Sequence, residues 1–198
     1  MKKRIILIFI LMNIFSLLGC SVYTHDSSEY DPHVFCPKQE AAFNEETLRE
    51  ILECFDNKDA DTLINMFSEA VKAEYDLKNQ IDTAFDIYGG HSVSYEGFYD
   101  HGTYTYASDN GKCVEKSIGA DMMNIKTDND EIFVIGFKKC VVNDKKPDEL
   151  GIEGISLFVP NHGALVTLAI IGPIDEQGLK ILEENNQKRN SIKSSVSD

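Results

Sequence analysis

The sequence has no tryptophan and few basic residues for its length. It contains 19 lysines and arginines against 33 aspartates and glutamates, which gives a formal net charge of −14. A protein this acidic repels the phosphates of nucleic acids and anionic lipid head groups. We therefore exclude DNA and RNA as main partners, and the charge leaves cationic, neutral and protein partners open.

The sequence also lacks the patterns that specify a metal, a cofactor or a covalent nucleophile. No CxxC and no cysteine–histidine spacing of the zinc-binding kind occurs in it. The acidic runs at 56–61 and 128–131 lack the glycine and the distal glutamate of a calcium-binding EF-hand loop. Ser117 and Ser156 have no nucleophile-elbow context, and no lysine follows the glycines at 151 and 154 as a phosphate loop requires. We predict no metal, no cofactor and no assignable catalytic residue.

The first twenty residues have the order of a secretion signal. Three basic residues at positions 2–4 precede an uncharged stretch from Ile5 to Leu18, and Gly19 and Cys20 follow. A basic start, a short apolar stretch and a small residue before the cut are typical of a signal peptide. The stretch is shorter than the ~20 apolar residues that span a bilayer. We predict that residues 1–19 are a signal peptide.

The end of that segment, Leu17-Leu18-Gly19-Cys20, resembles the bacterial lipobox. There signal peptidase II cuts before the cysteine, and the cysteine thiol carries diacylglycerol, so the resemblance implies a lipid on Cys20. Two or three acyl chains anchor a protein stably, because each buried CH₂ contributes about 0.8 kcal/mol. We expect a lipoprotein on the extracytoplasmic face of the cell membrane, with its membrane contact made through Cys20.

The mature chain is predicted to have three parts. Residues 20–40 contain charged residues and prolines without a sustained apolar period, which favours a flexible tether. Residues 41–187 are long enough for one domain with its own core. Residues 188–198, rich in serine and lysine, are predicted to be a disordered tail. Loss of the signal's three basic residues changes the net charge from −14 to −17.

Four cysteines remain once the lipidated one is set aside: Cys36, Cys54, Cys113 and Cys140. An even number outside the cytosol permits disulfides, and four cysteines allow three pairings. The sequence does not choose among these pairings.

The periodicity of apolar residues predicts helices first and strands afterwards. Helical spacing recurs over 43–56, from the cap Asp59 to Val71, and over 74–88, where Gly89-Gly90 ends the third helix. Strand-like alternation then begins at Ser92. Turn signals at 108–111, 128–130 and 160–163 divide the remainder into about five antiparallel strands, and a short helix is expected at 178–187. This order predicts an α+β fold with three N-terminal helices packed on one face of the sheet.

The segment from Leu52 to Phe67, LECFDNKDADTLINMF, resembles the opening of the nuclear-transport-factor-2-like, cystatin-like superfamily. In that superfamily a helix, an Asp/Asn turn and a second helix cover a curved sheet, and the resemblance implies such a cone here. With the lipobox, the chain also resembles small uncharacterised lipoproteins of Gram-positive gut bacteria such as clostridia. Catalytic members, such as ketosteroid isomerases, carry acid–base residues inside the cone, but no such set maps onto this sequence and none is carried over.

Six of the eight tyrosines lie between positions 75 and 106. Rings and hydroxyls of this kind line ligand pockets, and the candidates for a pocket are Tyr88, His91, Tyr95, Tyr99 and His101. Tyr95 and Tyr99 are predicted to share one strand face. A histidine base would need a carboxylate partner, for which Asp82, Asp86 and Asp100 are the candidates. The alternative is a partly buried strand, in which tyrosine is simply common.

Three hypotheses for function follow. The first is a non-enzymatic binding domain that takes a small ligand on the concave sheet or a protein partner on the outer sheet face. The second is an isomerase or hydrolase with its site inside the cone. The third is a structural or dimerisation module that forms a homodimer. A filled interior would argue against a ligand or an active site inside the cone.

Overall fold

The computed structural model describes residues 31–33, 36–161 and 163–196. Four helices precede a six-stranded sheet in these residues, and a fifth helix follows it. The helices are α1 (Pro37–Asn57), α2 (Ala60–Met66), α3 (Glu69–Glu74), α4 (Leu77–Tyr88) and α5 (Glu176–Val196). The strands are β1 (Ser92–Ser94), β2 (Gly97–Asp109), β3 (Lys112–Thr127), β4 (Ile132–Asn143), β5 (Gly151–Asn161) and β6 (Ala164–Ile171), with a 3₁₀ turn at Pro147–Glu149. The fold is α+β, as predicted.

The first helix begins earlier than its apolar period suggested. Pro37 stands in the first turn of α1, where a proline costs no hydrogen bond. Glu40 and Asn44 lie in the next turns and are buried against the sheet. Residues 37–40, predicted to belong to the tether, are therefore helical. The spacing of apolar residues did not predict this first turn, because the side chains that it buries are polar.

The predicted second helix is two helices in the structure. Asp59 caps α2 as predicted, since its carboxylate accepts from Thr62 N at 3.0 Å. The chain then becomes extended at Phe67, and Ser68 N donates to Ile152 O of β5 at 3.1 Å. Ser68 Oγ in turn caps α3. The helix is interrupted at Phe67, and the Phe67 ring is buried in the core.

All strand pairings are antiparallel. Both β1 and β2 pair with β3, and β4, β5 and β6 follow in order. The turn between β2 and β3 is confirmed: Asn110 and Gly111 both have positive φ, 50° and 81°, as the primed hairpin turns require. The sheet is curved and does not close. We call the face that meets the helices the inner face, and the opposite face the outer face.

Aromatic and aliphatic side chains fill the space between the helices and the inner face. The Phe55 ring packs edge-on against Phe85 and Tyr88, with centroids 5.1 and 5.4 Å apart, and Tyr88 contacts Phe133 of β4 at 5.1 Å. Ile51, which is fully buried, lies in the same cluster. The space between the helices and the inner face is therefore packed with side chains.

The helices are not all N-terminal. α5 runs to Val196, so a helix occupies residues 188–196, which were predicted to be a disordered tail. The side-chain amides of Asn185 and Asn186 donate to the carbonyls of Thr167 and Leu168 in β6, at 2.9 and 2.8 Å. These bonds satisfy backbone groups at the edge of the sheet, which would otherwise be open to pairing with another chain.

One turn further along the same helix, an arginine makes a second set of contacts with the domain. Arg189 Nη2 donates to both carboxylate oxygens of Glu131, at 2.7 and 2.8 Å, and its guanidinium lies 5.4 Å from the Phe133 ring centroid. A two-pronged contact of this kind is among the stronger charged hydrogen bonds. A composition rich in serine and lysine did not reveal this helix, because a few specific contacts hold it.

One ion pair is buried at the start of α1. Lys116 Nζ lies 2.6 Å from Glu40 Oε2, and the two side chains are 1% and 2% exposed. Thr103 Oγ1 donates to the other Glu40 oxygen at 2.8 Å. Asn44 Nδ2 donates to Asp100 Oδ1 at 2.8 Å. These contacts tie the first turns of α1 to β2 and β3.

The four described cysteines are free thiols, and no disulfide joins them. Cys36 is partly exposed, whereas Cys54, Cys113 and Cys140 are buried. Burial raises the pKa of Cys54 to about 11, which keeps it protonated and unreactive at neutral pH. None of the three pairings that the sequence left open is formed among the described cysteines.

We predict that Lys116→Met destabilises the protein by about 3–5 kcal/mol, because it leaves the Glu40 carboxylate buried without its cation. The double variant Glu40→Leu/Lys116→Met removes both charges and should recover much of the loss. Urea unfolding followed by far-ultraviolet circular dichroism measures both. A single variant that unfolds at the wild-type urea concentration would show that the pair is not essential to the fold.

Candidate functional site

The five pocket candidates lie in two separate places. Tyr88 is buried in the core, and His91 and Tyr95 follow it near the end of α1. Tyr99 and His101 lie on the outer face. The prediction that Tyr95 and Tyr99 share a strand face is wrong, because residues 95 and 96 interrupt the strand between β1 and β2. Tyr95 packs towards the helices, whereas Tyr99 stands opposite Asp121 of β3.

The first place is a surface cavity beside the C-terminal half of α1, with a volume of about 380 Å³. We call it the α1 pocket, and Arg49, Leu52, Glu53, Asp56, His91 and Tyr95 line it. The Arg49 guanidinium lies 5.3 Å from the centroid of the Tyr95 ring. The pocket mixes one exposed cation with two acids, so its charge pattern does not select a ligand class.

Asp56, which lines the α1 pocket, has a structural role. Its Oδ1 accepts from Tyr88 Oη at 3.1 Å and from Ser92 N at 2.7 Å, and its Oδ2 accepts from Ser92 Oγ. Burial and the charge of Asp56 raise the pKa of Tyr88. Both oxygens of Asp56 are thus used to hold the connection between α4 and β1 against α1.

The second place is a histidine–carboxylate pair on the outer face. His101 Nε2 lies 2.9 Å from Asp121 Oδ2, with the side chains 29% and 19% exposed. The imidazole stands edge-on to Tyr99 at 5.0 Å and tilted against Tyr104 at 5.7 Å. Register shifts at 100–102 and 103–105 of β2 mark bulges, which redirect side chains. They let His101 and Tyr104 both reach the outer face.

A groove of about 460 Å³ runs from this pair across β4 and β5 to β6. We call it the outer groove. Its lining includes Tyr104, Asp121, Gly136, Lys138, Gly154 and Phe158. The volume lies within the range of small-molecule sites, and the mixture of rings with a few polar groups is typical of them.

Two glycines explain the shape of the outer groove. A Cβ added to Gly136 would meet Asp121 Oδ1 at 2.2 Å and Phe158 Cε2 at 3.5 Å, so the carboxylate and the ring both lie over this glycine. A Cβ on Gly119 would meet Tyr104 Cε2 at 2.7 Å. The absence of side chains at these positions lets the polar and aromatic groups lie flat on the sheet.

The charges of the outer groove are arranged in two pairs. Asp121 faces His101 at one end. At the other end Lys138 Nζ lies 3.3 Å from both carboxylate oxygens of Glu153, of which only Oε1 accepts a well-oriented hydrogen bond. Burial and the charge of Asp121 raise the pKa of Tyr104. Tyr104 therefore stays a neutral hydroxyl beside the carboxylate.

The sequence did not predict the carboxylate partner of His101. Asp82 pairs with Lys78 on α4, and Asp100 accepts from Asn44 on the inner face, so neither meets the histidine. Asp121 stands opposite Tyr99 in the sheet, a pairing that depends on the register of β2 with β3. One feature of the sequence did point to this place. A glycine in the middle of an apolar strand, such as Gly136, often marks a position where another group approaches the backbone closely.

Caps and turns account for two of the acidic residues singled out in the sequence. Asp59 caps α2, and Asp128 Oδ1 accepts from His91 N at 3.0 Å. The described residues hold no group of three or more histidine, cysteine or acidic side chains that could bind a metal. Within the same residues, no helix is long and apolar enough to cross a membrane. Cys20 lies outside the described residues, so its lipid attachment remains a prediction.

Residues 50–160, more than half of the chain, match the family described as a domain of unknown function (DUF5104). The chain belongs to that family. The matched segment contains the last eight residues of α1, all of α2–α4 and β1–β4, and nearly all of β5. It therefore includes the whole α1 pocket except Arg49, and the outer groove as far as β5. A search of curated proteins finds no match.

We predict that Gly136→Ala displaces Asp121 and breaks its contact with His101, at a cost of about 1–3 kcal/mol in unfolding free energy. Gly154→Ala is the matched control, because its Cβ would meet only Ile171 O, at 3.6 Å. Both substitutions restrict the unfolded chain equally, so the difference between them reports the collision. Denaturant unfolding and a crystal structure of each variant measure the effect; equal stabilities with an unmoved Asp121 would contradict it.

Proposed function

We propose that this protein is a lipid-anchored extracytoplasmic binding domain, and that its binding site is the outer groove. The observation that carries the proposal is the contrast between the two faces of the sheet. Large side chains pack the inner face, whereas the outer face has a groove of about 460 Å³ above two glycines.

The packed inner face argues against a ligand between the helices and the sheet. Phe55, Tyr88 and Phe133 occupy that space, and each is at most 1% exposed. A ligand there would have to displace a buried ring, and loss of one buried aromatic side chain costs about 3–5 kcal/mol. The sequence led us to expect a ligand on the concave face of the sheet. Because that face is filled, we propose the outer face as the binding site.

The outer groove offers features that recognition needs. The half-buried Phe158 provides apolar surface, Tyr104 adds a ring and a hydroxyl, and Asp121 provides a charged acceptor. The strands beneath these groups are the central part of the sheet, and their many backbone hydrogen bonds keep the lining in place. A preformed site of this kind loses little entropy when it binds.

The lipid anchor rests on the sequence. The basic start, the apolar stretch and the Leu-Leu-Gly-Cys motif before Ser21 support attachment at Cys20. The chain between Cys20 and Pro37 would extend at most about 3.3–3.6 Å per residue. The domain would then stay within several nanometres of the bilayer, where a binding groove meets molecules that approach or leave the cell surface.

We predict that Gly154→Leu abolishes binding of small molecules in the outer groove, because the added side chain enters the groove above β5. Ligand-observed NMR with a fragment set of amines, alcohols and carboxylates measures binding. Ser94→Leu adds the same side chain at an exposed position of β1 and should bind the fragments as the wild type does. Circular dichroism checks that both variants are folded. Fragments that bind the folded Gly154→Leu variant unchanged would contradict the proposed site.

We predict that Cys20→Ala releases the protein from the membrane fraction and removes the mass of the lipid. Expression in a bacterium with an intact lipoprotein pathway, followed by fractionation and mass spectrometry, measures both changes. Cys36→Ala is the matched control and should remain lipidated. A Cys20→Ala protein that keeps its lipid would contradict the proposed anchor.

A further inference from the structure

The outer groove contains one carboxylate oxygen that its neighbours leave open. Asp121 Oδ2 faces His101 at 2.9 Å. Its Oδ1 lies over Gly136, and none of the described residues donates a hydrogen bond to it. Asp121 lines the groove and is 19% exposed, so that oxygen is held in place and accessible to a ligand.

Two aromatic rings flank the same carboxylate. The edge of Phe158 and Asp121 Oδ1 approach the same point above Gly136. Tyr104 lines the same groove, close enough that the charge of Asp121 contributes to raising its pKa. A carboxylate beside aromatic rings favours an organic cation, because the ammonium group pairs with the carboxylate and the apolar part of the ligand packs against the rings.

The cations already present leave this position unfilled. Lys138 is directed to Glu153, where it lies 3.3 Å from both oxygens. His101 occupies the other oxygen of Asp121. An anionic ligand would face Asp121 and Glu153 in the groove and the net charge of the whole chain, −14, all of which repel it.

We propose that the outer groove binds a small organic cation, with its ammonium group at Asp121 Oδ1 between Tyr104 and Phe158. The apolar part of the ligand extends over Gly154 towards Ile170, which lines the far side of the groove. This assignment rests on the proposed function, because it names the ligand class of the same site. The volume of about 460 Å³ suits a free small molecule.

Three probes of nearly equal shape test the charge: benzylamine, benzyl alcohol and benzoate. Each is titrated into the ¹⁵N-labelled full chain in a non-ionic detergent, and amide shifts are followed at Gly136 and Gly154. We expect benzylamine to bind at least about tenfold more tightly than benzyl alcohol, because only its charge pairs with Asp121. Benzoate should produce no shifts at these glycines.

Asp121→Asn keeps the shape of the side chain and removes its charge. It should weaken benzylamine by at least about tenfold and leave benzyl alcohol unchanged. Asp82→Asn is the matched control, since Asp82 is an exposed acid on α4 that pairs with Lys78. The control should bind all three probes as the wild type does.

The outcomes separate this inference from the proposed function. If benzyl alcohol or benzoate binds the groove as tightly as benzylamine, the cation assignment is wrong and the groove remains the site. If Nα-acetyl-lysine amide binds more than about tenfold better than benzylamine, the cation is a protein side chain and the small-molecule assignment is wrong. If no probe shifts Gly136 or Gly154 at millimolar concentration, both proposals fail.

Discussion

The packing of Phe55 against Phe85 and Tyr88, and of Tyr88 against Phe133, fills the space between the helices and the sheet. These rings join α1, α4 and β4, and they occupy the space that a curved sheet would otherwise enclose. Burying each ring stabilises the fold by about 1.5–3 kcal/mol, so the interior gains stability by being filled. We therefore propose that binding takes place on surfaces outside the helix-covered face.

The outer face carries side chains that a purely structural sheet would not need. Glycine weakens a strand because it adds no packing surface, yet Gly119, Gly136 and Gly154 stand on three neighbouring strands. Two of them make room for Tyr104 and Asp121, which lie flat across the sheet. The strands thus have no packing side chains at these positions of the outer face, and a groove with a charged and aromatic lining lies there instead.

The order of elements was predictable from the sequence because helix caps and hairpin turns have local causes. Asp59 at the start of α2, Gly89 after α4 and Asn110-Gly111 between two strands all stand where the structure uses them. The site was not predictable in the same way. His101 meets Asp121 through the bulge at 100–102 of β2, and a shift of register by one residue would send either side chain to the other face.

We propose that ligands bind the outer groove and not the space between the helices and the sheet. A crystallographic fragment screen tests it most directly, because electron density locates each bound molecule without assuming its chemistry. We expect fragments over Gly136 and Gly154, against Tyr104 or Phe158, with the Phe55 cluster unchanged. Fragments lodged among Phe55, Tyr88 and Phe133, with the outer groove empty, would contradict it.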